Sequence, residues 1–427
     1  MIKYRKNSSW GLSRNFKKSP HQALLSLEPT PSEAVYFKLK GQAFLFCHFE
    51  QLHALQLFTS LDHQPLPLEK SRQISHFQLQ NSDFVFQFSE WLSTLQRFLA
   101  VALTHHIESK AQPMIEMSQI VQAPIEWTLF HLSMQCDLRK ATRTNDRQMV
   151  KIVESFQRGL KSPYTRLFPS VYGFNSWRLN HGNLSKKLQQ VQSETPGLSV
   201  EDCYAFTEWQ KHLSETITWT LLLLEQFPQL MDDLKRELNE VLSNQAYQAQ
   251  SIFKLPKLVC FIYETLRLFP PSWLSLWGQI SEFHDQKDLF QVDQTGLNDQ
   301  TIILSTPLHS HYQEQDWPSP HTFRPERFLA IFYGAQAPKS FLPFGTRSKG
   351  HTLSLVSLHT IAAVLSSILR RGRLRIDPTS WQPLQFPISY GPNSVEEWIG
   401  SGFGIPPQIK GRFSLDESYI YIPSARV

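Results

Sequence analysis

The sequence predicts a mainly α protein with a small β part, folded as a single domain. Three observations carry that prediction. Apolar residues recur at helical spacing over long stretches, above all in 200–242, 255–269 and 353–371. Two short alternating runs, 34–40 and 42–47, flank Gly41 as a pair of strands joined by a turn would. No internal repeat, low-complexity tract or compositional break divides the 427 residues.

Taken in order, residues 1–33 are basic and then contain Pro and Ser, which reads as an irregular arm ahead of a single domain spanning 34–427. After the two strands, 49–58 is patterned as a short amphipathic helix. From 82 to 160 the pattern is mainly helical, with Trp91, Leu95, Phe98 and Leu99 marking one apolar stripe. Pro163, Pro169 and Gly173 interrupt it, and a polar connection runs over 175–198. A long helix then covers 200–226. Pro228 opens a second over 228–242, with Asp232, Asp233 and Glu237 on its polar side. The next helix, 255–269, is closed by Pro270 and Pro271. Residues 272–305 alternate as short strands do, and 316–328, DWPSPHTFRPERF, is irregular.

The chain pivots on FLPFGTRSKGHTLSLVSLHTIAAVLSSILRRGRLR, residues 341–375. Pro343, Phe344 and Gly345 fix a turn. Leu353, Val356, Thr360, Ile361, Val364, Leu365 and Ile368 then form one broad helical face. Arg370 and Arg371 complement the dipole in the last turn, and Gly372 stands where a left-handed cap residue would. Short strands and turns occupy 374–427.

Bulk numbers exclude several functions. The net charge of +5 is too mild to argue for nucleic acid. Four cysteines, Cys47, Cys136, Cys203 and Cys260, are too widely spaced for a disulfide framework, which fits a reducing, cytoplasmic setting. The basic start is followed by no apolar run, and the apolar stretch at 221–224 is far short of the ~20 residues needed to span a bilayer. Walker, G-x-G-x-x-G, G-x-S-x-G and zinc spacings are lacking, and His105-His106 has no matched partners.

Glu264 and Arg267, in ETLR, share one helix face. By itself such a pair is usually a surface ion pair of little worth. Here LFPP, then FRPERF, then the PFG turn follow it in that order. This combination resembles the cytochrome P450 superfamily, and the resemblance covers roughly 34–427. It implies the cytochrome P450 fold, a haem cofactor, an oxidoreductase or monooxygenase activity on an apolar small molecule, and a ferredoxin-type redox partner. It also implies that Glu264, Arg267 and Arg327 form a buried structural cluster holding the irregular segment to its helix.

The same resemblance exposes a departure. The family's haem loop reads F-x-x-G-x-R-x-C-x-G. Laid from Phe344, its glycine falls on Arg347, its arginine on Lys349, its cysteine on His351 and its last glycine on Leu353. An imidazole at His351 would be the iron ligand, and it donates less electron density than a thiolate. The ordinary alternative is a loop histidine that caps the following helix, one of 16 in the chain. Cofactor contacts would come from Lys349, Phe344, Gly345, Arg97 and Trp91. Trp91 resembles the start of a W-x-x-x-R motif, but Leu95 holds its arginine position, and Arg97 comes two residues later. After Pro270-Pro271 the family's arginine position falls near Trp277.

On the long helix the family's small pair falls on Glu208-Trp209, and its acid and threonine fall on Lys211-His212. An acid–alcohol pair, Glu215-Thr216, lies one turn later. His212 and Lys211 are therefore the candidate catalytic groups, with His212 facing His351 across a haem. The ordinary reading of His212 is a partly buried helix histidine. Arg347, Lys349, Arg370, Arg371, Arg373 and Arg375 form a basic cluster near the loop, read either as a redox-partner face or as a solvated helix end. Two functions follow. One is a haem oxidoreductase with a histidine ligand. The other is a haem-free scaffold keeping the fold to bind a small molecule or a partner protein.

Overall fold

The computed structural model describes residues 3–7, 26–39, 42–54, 72–78, 85–108, 200–271, 275–282, 297–344, 350–376 and 410–415, with 115–116, 121, 124–125, 128 and 132. The expected connection over 175–198 lies outside the described residues, as do Gly345, Arg347 and Lys349.

A five-stranded sheet has the order β1–β2–β3–β8–β7. Its strands are β1 (Lys3–Lys6), β2 (Glu33–Leu39), β3 (Gln42–Phe46), β7 (Ser275–Gln279) and β8 (Ile302–Ser305). The run at 3–6 is therefore no irregular arm. It pairs in parallel with β2 as the edge strand, and Arg5 donates to the Leu27 carbonyl at 2.7 Å. β2 and β3 form the expected antiparallel pair, and β8 joins β3 in parallel. The register of β7 slips between Leu276 and Gly278, so Trp277 sits at a bulge, with its indole N–H donating to Ser305 Oγ at 2.9 Å.

The helices are α1 (Phe49–Ala54), α2 (Phe88–Glu108), α3 (Val200–Gln226), α4 (Pro228–Leu242), α5 (Pro256–Leu268), α6 (Pro307–His311), α7 (Leu329–Phe332) and α8 (Gly350–Arg371). A hairpin of β4 (His76–Gln78) and β5 (Val85–Gln87) leads into α2. After α8 comes β9 (Gly372–Ile376), paired with β10 (Lys410–Leu415), which in turn pairs with β6 (Ile115–Glu116). The molecule is mostly helical with a small sheet part, which is the P450 type of architecture.

α8 is the centre of the packing, in contact with α2, α3, α4 and α5. The sequence predicts one apolar face for it, but the structure buries every residue from Ser354 to Arg370, including Ser357, His359, Ser366 and Ser367. A helix surrounded on all sides needs small hydroxyl residues that satisfy their own donors, and Ser366 does so on the Ala362 carbonyl at 2.6 Å. Gly372 is not a left-handed cap either: among the described glycines only Gly334 has a positive φ, and α8 runs directly into β9.

Glu237, assigned by sequence to a polar face, is buried. Its two oxygens accept from the Lys257 and Leu258 amides, both at 2.9 Å, at the start of α5. Leu255 cannot cap that helix with a side chain, so a carboxylate from α4 does it instead. Burial pushes the Glu237 carboxyl up, against the two backbone bonds that favour its charge. At the other end of α4, Ser243 takes a left-handed φ of 47°. Arg370 of α8 donates to the carbonyls of Ser243 and Gln245 and holds that turn.

Candidate functional site

Two polar constellations meet α8. The first lies on α5. Glu264 and Arg267 are wholly buried, and Arg267 grips the carboxylate with a fork, Nε and Nη2 each donating at 2.8 Å. Arg327 adds a third bond from Nε at 3.1 Å, and the Arg324 amide a fourth at 2.8 Å. The remaining guanidinium donors go to carbonyls. Arg267 Nη1 reaches His311 at 2.9 Å, while Arg327 reaches Pro318 at 3.1 Å and Thr322 at 3.2 Å. So four bonds on one carboxylate tie the irregular segment 318–327 to α5. The Arg267 guanidinium also lies 5.4 Å from the Trp317 ring centre.

His311 extends this cluster toward the PFG turn. Its Nδ1–H donates to the Arg267 carbonyl at 2.8 Å, and its Nε2 accepts from the Leu342 amide at 2.8 Å. Only the neutral Nδ1–H tautomer can make both bonds. Burial, with the Arg267 charge beside it, pushes the His311 imidazolium down to about 3. Sequence reasoning missed this residue, because nothing in HSHY separates it from the other histidines.

The second constellation is aromatic and lies between α3 and α8. Trp209 of α3 donates from Nε1 to Ser357 Oγ of α8 at 2.9 Å. Trp91 of α2 donates from Nε1 to Thr360 Oγ1, also at 2.9 Å. The two indole centres are 5.2 Å apart, and Phe77 of β4 packs at 5.8 Å from Trp91 and 5.9 Å from Trp209. Both indoles are buried, Trp91 at 0% and Trp209 at 7% exposure. One residue before Thr360, His359 Nδ1 meets the Tyr247 hydroxyl at 2.7 Å, and Phe88 packs edge-on against its ring. Burial pushes His359 down to about 3.

The other residues singled out by sequence are more scattered. His212 is half-buried on α3, and its carbonyl accepts from Thr216 Oγ1 at 2.9 Å. Thr216, the alcohol of the acid–alcohol pair, is thus turned onto its own helix. Lys211 lies in α3 and His351 in the first turn of α8. Phe344 is half-buried against the main core. Arg97 is exposed on α2, its guanidinium 5.4 Å from the Phe98 ring centre. Six residues past Trp91, it is ~240° further around the helix at 3.6 residues per turn. Of the basic cluster, Arg370 is buried, Arg371 donates to Ser367 at 3.1 Å, and Arg373 meets Asp232 at 3.5 Å. Among the described residues no group of three or more His, Cys, Asp or Glu could hold a metal ion, and no helix is long and apolar enough to cross a membrane.

Comparisons with known proteins match this arrangement. The family model for cytochrome P450 fits residues 210–371, from α3 through α8. Cytochrome P450 3A31 of Mesocricetus auratus is 28% identical over 198 residues, which is 46% of this chain and 38% of that protein. Cytochrome P450 82A1 of Pisum sativum is 29% identical over 164 residues, 36% of this chain and 28% of that protein. Cyclooctat-9-en-7-ol 5-monooxygenase of Streptomyces melanosporofaciens is 26% identical over 206 residues, 47% of this chain and 43% of that protein. The matched region thus spans less than half the length of each of these relatives. With α3, α5 and α8 in place and the Glu264 cluster closed between α5 and segment 318–327, residues 210–371 of the chain are similar to the cytochrome P450 superfamily.

Proposed function

We propose that this chain is a haem-free scaffold of the cytochrome P450 fold, working by binding and not by oxygen chemistry. The family is one of haem-dependent monooxygenases in general, so haem is the cofactor to test against the residues present. The resemblance sets the iron between position 209 on α3 and position 351 at the start of α8. A flat macrocycle between two walls needs a van der Waals contact of ~3.5 Å on each face, hence ~7 Å between wall atoms. The bond from Trp209 Nε1 to Ser357 Oγ ties α3 to α8 at 2.9 Å, six residues past position 351. That single observation supports the proposal, since the indole of Trp209 lies against α8 there. Trp91 seals the neighbouring position on Thr360. Among the described residues, Trp277 is committed to Ser305 and Arg97 is exposed, so neither position supplies a buried cation for an anionic cofactor.

A second reading keeps haem, with His351 as its ligand, Lys349, Phe344 and Gly345 beside it, and Lys211 and His212 on the distal side. The observation that favours it is the link from Arg267 through His311 to Leu342, which still holds the approach to the PFG turn. The two readings separate in one measurement. The purified chain is incubated with hemin, and its absorption spectrum and iron content are recorded. The scaffold reading expects no Soret band and no retained iron. A stoichiometric Soret band that disappears in His351→Ala overturns it in favour of the second reading, and a further change in His212→Ala would identify the distal group.

A further inference from the structure

We draw no further inference here: the strongest candidate, the exposed apolar surface patch that Leu329 and Tyr333 form one turn apart at the two ends of α7, carries none, because nothing in the structure shows what covers it.

Discussion

Replacing Glu264 by Gln should cost the fold ~3–5 kcal/mol, the range for breaking a buried ion pair from one side. The wild-type carboxylate accepts four bonds: two from Arg267, one from Arg327 and one from the Arg324 amide. An amide can keep the three that converge on Oε1, provided its oxygen takes that place. The atom replacing Oε2 then becomes a donor facing the Arg267 Nε–H at 2.8 Å, a donor-to-donor clash. Turning the amide over is worse, because three donors then meet an NH2 group. In either orientation two guanidinium groups, one with no exposure and one with 9%, lose their counter-charge. Burial already pushes the Arg327 guanidinium down, against the pull of Glu264.

The assay is urea unfolding followed by tryptophan fluorescence, since Trp317 packs against this cluster. Arg327→Gln is the milder companion. Its side chain keeps some water, so the loss should be ~1–3 kcal/mol. Glu264→Leu with Arg267→Met removes two of the cluster's three charges, leaves Arg327 without its counter-charge, and should recover only part of the loss, because apolar replacements of buried pairs are often tolerated. Recovery stays incomplete, since the Arg324 amide and the His311 carbonyl are left without partners. A Glu264→Gln protein within ~1 kcal/mol of the wild type would refute the idea that this carboxylate holds segment 318–327 to α5.

Three further outcomes are expected. Burial holds His48 at about 4, and His311 and His359 at about 3, all below the ordinary value of ~6.5 for an unfolded chain. Between those values the unfolded state binds the extra protons. Their stabilising contribution is therefore present above pH ~6.5 and is lost as pH falls toward 4 and 3, by up to ~1.4 kcal/mol per pH unit for each histidine. Urea midpoints measured across that range should drop, and His311→Gln should flatten the slope by about one histidine's share. Glu237→Ala removes the cap on α5 and should cost ~1–2 kcal/mol by the same unfolding assay, while Glu237→Gln, which keeps one acceptor, should cost less. Trp209→Phe keeps most of the apolar packing but leaves Ser357 without its donor, so it should lose ~1–3 kcal/mol and gain no Soret band with hemin.

The elements that the sequence made legible are those whose pattern is local. Pro228 at the start of α4 and the pair Pro270-Pro271 after α5 mark helix limits by removing an amide N–H, which needs no tertiary partner. The β2–β3 pair shows in its alternation, and the order ETLR, FRPERF, PFG shows in its spacing. What escaped is long-range. Glu237 looks polar on a helical wheel, and only the arrival of an uncapped α5 explains its burial. His311 acts through Leu342, 31 residues away, and the Trp209–Ser357 bond spans 148 residues. The error on α8 has the same origin. A stripe reading assumes solvent on one side, whereas α2, α3, α4 and α5 together leave this helix none.

On the scaffold reading, the tryptophans would let the fold persist without a haem. A protein that binds a large ligand between two helices gains stability by mass action and loses it when the ligand leaves. Protein interiors tolerate little empty volume, so a vacated slot must either collapse or be filled. Indoles from α2 and α3 pack against α8, each settling its N–H on one of its hydroxyls. Ser357 and Thr360 are suited to that task because they are small and carry an acceptor, and Thr360 passes its own proton back to the Val356 carbonyl at 2.7 Å. Meanwhile the four bonds on the Glu264 carboxylate come from α5 and segment 318–327.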